Sequence, residues 1–211
     1  ERHLKSESSA LMSVYEFIGD LYVVDLLAYK KGLTYYEKAL AVGQQQNPEN
    51  AEELVRAYNN VGITNKTLGE FDEANKLHKQ ALRLVSKTNN KKLNHNTLYY
   101  LGDLKLRLLE YDSAKYYFDE ALTVYQNSDL PKTHTNLADT YKGIGWVYSG
   151  NGNFEEAINY ELKALEIYEQ ITNPVPYSKI GTVHIDISYE YQQTRDYDQA
   201  LLHTNQAFSA Y

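Results

Sequence analysis

Residues Tyr58–Leu82 read "YNNVGITNKTLGEFDEANKLHKQAL". Gly62 precedes Phe71 by nine positions, Ala74 by twelve and Ala81 by nineteen. Apolar residues on both sides of "GE" at 69–70 recur at helical intervals. The stretch therefore predicts two antiparallel helices joined by a tight turn. The Gly and the two Ala residues let the helices approach closely. Phe71 opens the second helix and plugs the gap between the two.

The same spacing recurs along the chain. Gly102 is followed by Tyr111, Ala114 and Ala121, and Gly145 by Phe154, Ala157 and Ala164, at the same three offsets. A large residue precedes each glycine: Val61, Leu101 and Ile144. Two weaker copies are anchored on Asp20 (Tyr29, Gly32, Ala39) and on Ser188 (Tyr197, Ala200, Ala207). The anchors are thus spaced by 42, 40, 43 and 43 residues. A fixed period in this range marks a stacked array. Each hairpin cannot bury its apolar face alone, so neighbours must cover it.

The predicted helices run over 6–26, 28–44, 50–68, 71–87, 92–109, 111–127, 132–150, 154–171, 176–194 and 197–210. Breakers fall between pairs: "NPEN" at 47–50, "NSDLP" at 127–131 and "NPVP" at 173–176. Asn50 with Glu53, and Asn153 with Glu156, have capping-box spacing. No low-complexity linker divides the chain, so residues 1–211 are expected to form one domain. Its repeats run roughly over 6–44, 50–87, 92–127, 132–171 and 176–210. The chain starts at Glu1 without Met, and no capping helix follows the last copy. A piece of a longer protein is therefore expected.

Composition narrows the function. The 211 residues include 21 Tyr against 5 Phe, and the formal net charge is −7. Tyrosine combines packing area with a hydroxyl that seeks water or a partner, which suits a protein with much surface per residue. An acidic chain with no basic run longer than a pair such as Lys91-Lys92 lacks the footprint of direct nucleic-acid binding. No apolar run approaches the roughly 20 residues a membrane helix needs. Cysteine is absent, which removes disulfides and thiolate metal ligands.

Chemistry is not expected. The six histidines (His3, His78, His95, His134, His184, His203) include no pair four residues apart, so no metal site is expected. "GNGNF" at 150–154 lacks the third glycine of a dinucleotide loop and has helices on both sides. The reading is of a non-enzyme without cofactor or catalytic residues. The cytoplasm is the expected compartment.

"YNNVGITNKTLGEFDEANKLHKQAL" and "YKGIGWVYSGNGNFEEAINYELKAL" resemble the tetratricopeptide repeat (TPR) family. Its signature is a large residue and Gly in the first helix, an aromatic after the turn, and two spaced Ala in the second. The period of 40–43 exceeds the standard 34 or so. It is similar to the long-repeat variants of kinesin light chains, cell-polarity adaptors and bacterial peptide-pheromone receptors. The resemblance implies an all-α, right-handed α-solenoid of about five hairpins whose first helices line a concave groove.

By that resemblance the groove draws Arg56, Asn59, Ile63 and Lys66 from the second hairpin. The third supplies Tyr99, Asp103 and Arg107, the fourth Lys142 and Trp146, and the fifth Tyr189. Leu106, Ile185 and Gln192 share these faces. Asn59 is the sharpest candidate, because one amide offers a donor and an acceptor to a single peptide unit. Trp146 is turned about 100° from Gly145 and is read as a groove residue, with helix packing as the alternative. Arg56, Lys66, Arg107 and Lys142 outnumber the acids on these faces, which favours an acidic partner.

The resulting expectation is a protein- or peptide-binding scaffold. One alternative is a ligand-sensing domain of a bacterial transcription regulator or sensor kinase. Another is self-association through uncapped ends.

Overall fold

The computed structural model describes residues 2–46, 50–131 and 133–210, without the side chains of 2–6 and 46. Asn47, Pro48 and Glu49 of the first predicted breaker lie outside the described residues. The helices are α1 Arg2–Asp20, α2 Tyr29–Gln46, α3 Ala51–Leu68, α4 Phe71–Val85 and α5 Lys91–Arg107. There follow α6 Tyr111–Gln126, α7 Thr135–Gly150, α8 Phe154–Glu169, α9 Tyr177–Gln193 and α10 Tyr197–Ser209. No strand occurs among the described residues. The chain forms two compact units, Glu1–Leu104 and Lys105–Tyr211.

The repeated small residues do what their spacing demands. Ala74, Ala81, Ala114, Ala121, Ala157 and Ala164 are fully buried. A Cβ added to Gly62 would lie 2.7 Å from the His78 ring, and one on Gly145 would lie 2.8 Å from Glu161 Cγ. No larger residue fits there unless these side chains shift. In the first unit Met12, Leu40, Leu54, Val55, Val61 and Leu77 build a core around these contacts. In the second, Ala138, Ile158, Leu165, Tyr168, Val183 and Ile187 do the same.

The first copy corrects the sequence alignment. Gly19, not Asp20, occupies the anchor position, because its added Cβ would meet the Tyr36 ring at 2.6 Å. Tyr36 stands seven residues into α2, as His78 does in α4. The extra residue between Gly19 and Tyr29 is absorbed by a π-helical turn, Leu21–Asp25, which continues α1. Such turns accommodate one additional residue without ending the helix. Asp20, displaced from the anchor, accepts the Tyr36 hydroxyl at 2.6 Å.

Every hairpin turns through one left-handed residue: Leu27, Gly69, Leu109, Gly152 and Arg195, with φ between 49° and 87°. In four of them a backbone N–H closes the turn onto the preceding helix at 2.9 Å: Glu70 to Asn65, Glu110 to Lys105, Asn153 to Tyr148, and Asp196 to Tyr191. This bond requires the left-handed residue beside it. Nothing lies within 4 Å of a Cβ built on Gly152, so strain rather than crowding opposes a side chain. Gly152→Ala is expected to cost about 1 kcal/mol, read as a lowered urea midpoint with an unchanged slope.

The caps divide. Asn50 accepts from the Glu53 N–H at 3.3 Å, as its spacing predicts. Asn153 makes no side-chain cap, which corrects the second capping box. Glu155 and Glu156 in the first turn of α8 favour the positive end of the helix dipole instead.

Candidate functional site

In the first unit α3 carries Arg56, Asn59, Ile63 and Lys66 at three- and four-residue steps, one face of one helix. The structure treats them differently. Arg56 is exposed and Ile63 half-buried. The Lys66 ammonium pairs with the Asp103 carboxylate of α5, both largely shielded from water. Tyr99 is half-buried and meets the Tyr100 ring edge-on, with centroids 5.8 Å apart.

Asn59 points inward and is only 4% exposed. Its Nδ2 donates to Thr97 Oγ1 at 2.8 Å. Its Oδ1 therefore faces His78 Nδ1 at 3.0 Å and accepts the imidazole proton. Thr97 passes its own hydroxyl proton to the Leu93 carbonyl at 2.8 Å. The donor and acceptor expected to hold a ligand thus tie α3 to α4 and α5. His78 is fully buried with Nε2 unpartnered. Burial, helped by the nearby Lys66 charge, pushes it down to about 3, so it is neutral at ordinary pH.

In the second unit Arg107 is exposed in the last turn of α5. Lys142 and Trp146 lie one turn apart on α7, and the Lys142 Nζ sits 4.7 Å from the Trp146 ring centroid. Trp146 is half-buried, and its Nε1 donates to Asp186 Oδ2 of α9 at 2.9 Å. Tyr189 and Ile185, on the same helix as Asp186, are half-exposed. Trp146 therefore both reaches the surface and links two first helices.

Sequence reasoning missed a group of acids beneath this face. Glu161 of α8 is fully buried against Gly145, and neither carboxylate oxygen has a hydrogen-bond partner. Burial, with Asp186 and Glu190 nearby, pushes it up to about 9 against the opposing Lys142 charge. Asp186 is raised by burial, opposed by the Trp146 bond and Lys142. Glu190 is raised by burial despite a hydrogen bond to Ser149, with Asp186 adding to the rise. The available signal was an acid between Ile158 and Leu165, at a position where a helix pattern calls for an apolar side chain.

Elsewhere in this unit a cavity of about 720 Å³ lies off the predicted face, lined by Tyr125, Leu130, Leu137, Tyr141, Lys163 and Ile167 among others. His184 and His203 approach each other at 3.0 Å through Nδ1. Among the described residues no three acidic or histidine side chains are grouped to hold a metal. No helix among them is long and apolar enough to cross a membrane.

Stacked helical hairpins with a small-residue seam and a polar, aromatic first-helix face define a helical-repeat protein. The tetratricopeptide repeat profile matches residues 11–87 and 94–170, and the chain belongs to that family. It is 30% identical over 111 residues to the Arabidopsis thaliana protein kinesin light chain-related 2, covering 53% of this chain and 17% of that one. It is 26% identical over 166 residues to tetratricopeptide repeat protein 29 of Macaca fascicularis, covering 79% of this chain and 34% of that one. The chain thus spans about a third or less of the length of these relatives.

Among solved structures, BtubC (BKLC) from P. vanneervenii superposes with a TM-score of 0.78 at 16% identity, over 99% of this chain and 90% of that one. A Rap protein complexed with competence and sporulation factor gives 0.79 at 15% identity, over 93% of this chain and 52% of that one. The fold class is the all-α TPR solenoid, here in its long-repeat form.

Proposed function

We propose that the chain is a non-catalytic scaffold that holds an extended peptide segment of a partner protein against its first helices. The observation that carries this reading is the α7–α9 face. There Trp146, Ile185 and Tyr189 remain partly exposed on helices whose opposite sides are buried. Trp and Tyr are enriched among residues that dominate binding energy, because they bury much area with few rotatable bonds. Trp146 is also held in place by Asp186, so little side-chain freedom is lost when a ligand covers it.

Peptides selected from a display library on the purified chain test the reading. Joint replacement Trp146→Ala and Tyr189→Ala is expected to weaken a selected peptide by about tenfold or more, measured by fluorescence anisotropy. Circular dichroism checks that the variant is folded. Undiminished binding by the folded variant would sink this reading.

A second reading, a peptide-sensing regulatory segment, is favoured by the structural likeness to the Rap protein bound to competence and sporulation factor. A selected peptide that changes the small-angle scattering profile of the chain supports sensing. An unchanged profile at saturation supports a passive scaffold.

A further inference from the structure

The residue seven positions into the second helix of each hairpin is Tyr36, His78, Phe118, Glu161 and Thr204 in turn. Four of these suit a packed interior. Tyr36 donates its hydroxyl to Asp20, His78 bonds Asn59, Thr204 meets the Ser188 hydroxyl, and Phe118 is apolar. Helix packing therefore does not demand a carboxyl at this place. Glu161 nevertheless puts one there, fully buried with both oxygens unpartnered. Glu190, 2% exposed, adds a third orphaned oxygen, Oε2. Buried acceptors left without donors are rare and costly.

The surrounding charges sharpen the point. Facing Glu161 are Lys142 from α7 and Asp186 and Glu190 from α9. Three carboxyls thus share one ammonium, and that ammonium lies over the Trp146 ring. Asp186 is only partly buried and stands next to the exposed Ile185, so the group opens toward the α7–α9 face. The geometry calls for a cation that brings several N–H donors and a flat face for the indole. A guanidinium has five donors in a planar fork, pairs with carboxylates two bonds at a time and stacks on aromatic rings. An ammonium is compact and lacks that plane.

We propose that Trp146, Asp186, Glu190 and Glu161 form a subsite for an arginine side chain of the bound peptide. The guanidinium takes the place of the Lys142 ammonium over the indole, bonds Asp186 and Glu190, and provides the charge that lets Glu161 ionise behind them. Burial holds the Glu161 proton near neutral pH, so seating the arginine expels that proton. The subsite rests on the peptide-binding reading of this face. Its charge preference runs opposite to the acidic partner expected from composition.

The test compares short display-selected peptides with versions in which each Arg in turn becomes Gln. Trp146 is the sole tryptophan, so its fluorescence reports binding at the subsite. One Arg is expected to account for about tenfold of the affinity. Glu161→Gln and Asp186→Asn, both close in shape to the native residues, should each shrink that Arg-to-Gln ratio several-fold. Exposed Glu169→Gln should leave the ratio unchanged. Calorimetry in two buffers of different ionisation enthalpy should show proton release with the Arg peptide on wild type and none on Glu161→Gln. Peptides that bind without preferring Arg, or an Arg preference that survives both variants, overturn the subsite and leave the peptide-binding reading standing. If no library peptide binds the wild-type chain, both fall.

Discussion

Glu161→Gln is expected to make the protein more stable, and increasingly so as the pH rises. Glu161 is raised from its usual 4.5 to about 9 in the folded chain. Between those values the folded state binds a proton that the unfolded state has lost. Stability from this group is therefore complete below about pH 4.5 and drains away as the pH climbs toward 9. Each unit of pH in that window costs about 1.4 kcal/mol, so the deficit near neutrality is on the order of 3 kcal/mol. Glutamine keeps the shape of the protonated acid and carries no ionisable proton. The measurement is urea unfolding across pH 5–9. Wild type should lose stability over this range, the variant should lose markedly less, and the two curves should converge at the acid end. Parallel curves would mean that Glu161 ionises freely.

The first unit is expected to respond in the opposite direction. His78 is lowered from 6.5 to about 3. The unfolded state binds the extra proton between those values, so stability falls as the pH drops through that window. Acid and alkali thus act on different hairpins, through two residues that occupy the same repeat position.

Asn59→Ala is expected to destabilise the chain by about 2–4 kcal/mol. The replacement strands the His78 Nδ1 proton in a dry interior and removes the donor to Thr97. Each abandoned buried group costs about 1–3 kcal/mol, and the space vacated by the amide adds to that. Thermal and urea unfolding read the loss directly. Pairing the variant with His78→Phe tests the mechanism. With the imidazole gone, the further cost of Asn59→Ala should shrink, because the orphaned donor no longer exists. Full stability with lost peptide binding would return Asn59 to the role that its spacing suggested.

The hairpin array was legible in the sequence because its causes are local. A small residue, an aromatic nine positions on and two alanines beyond it let two helices close on each other within about forty residues, and four of the five copies repeat that arrangement. The left-handed turn residues follow the same period. The first copy eluded this reading because a π-helical turn slips one residue into the count, and such a turn leaves no mark on apolar spacing. The candidate site was legible as a face but not as chemistry. Whether Asn59 offers its amide to a ligand depends on His78, nineteen positions away, and on Thr97 in the next hairpin. Whether Lys66 is a free cation depends on Asp103. Glu161 became unusual because packing buries it without a partner, and α9 then brings Asp186 and Glu190 near it. Periodicity determines which side of a helix is buried, and the sequence carries that alone. Which charges meet inside is decided by how successive hairpins stack, since burial strengthens electrostatic interactions between side chains some forty residues apart in the chain.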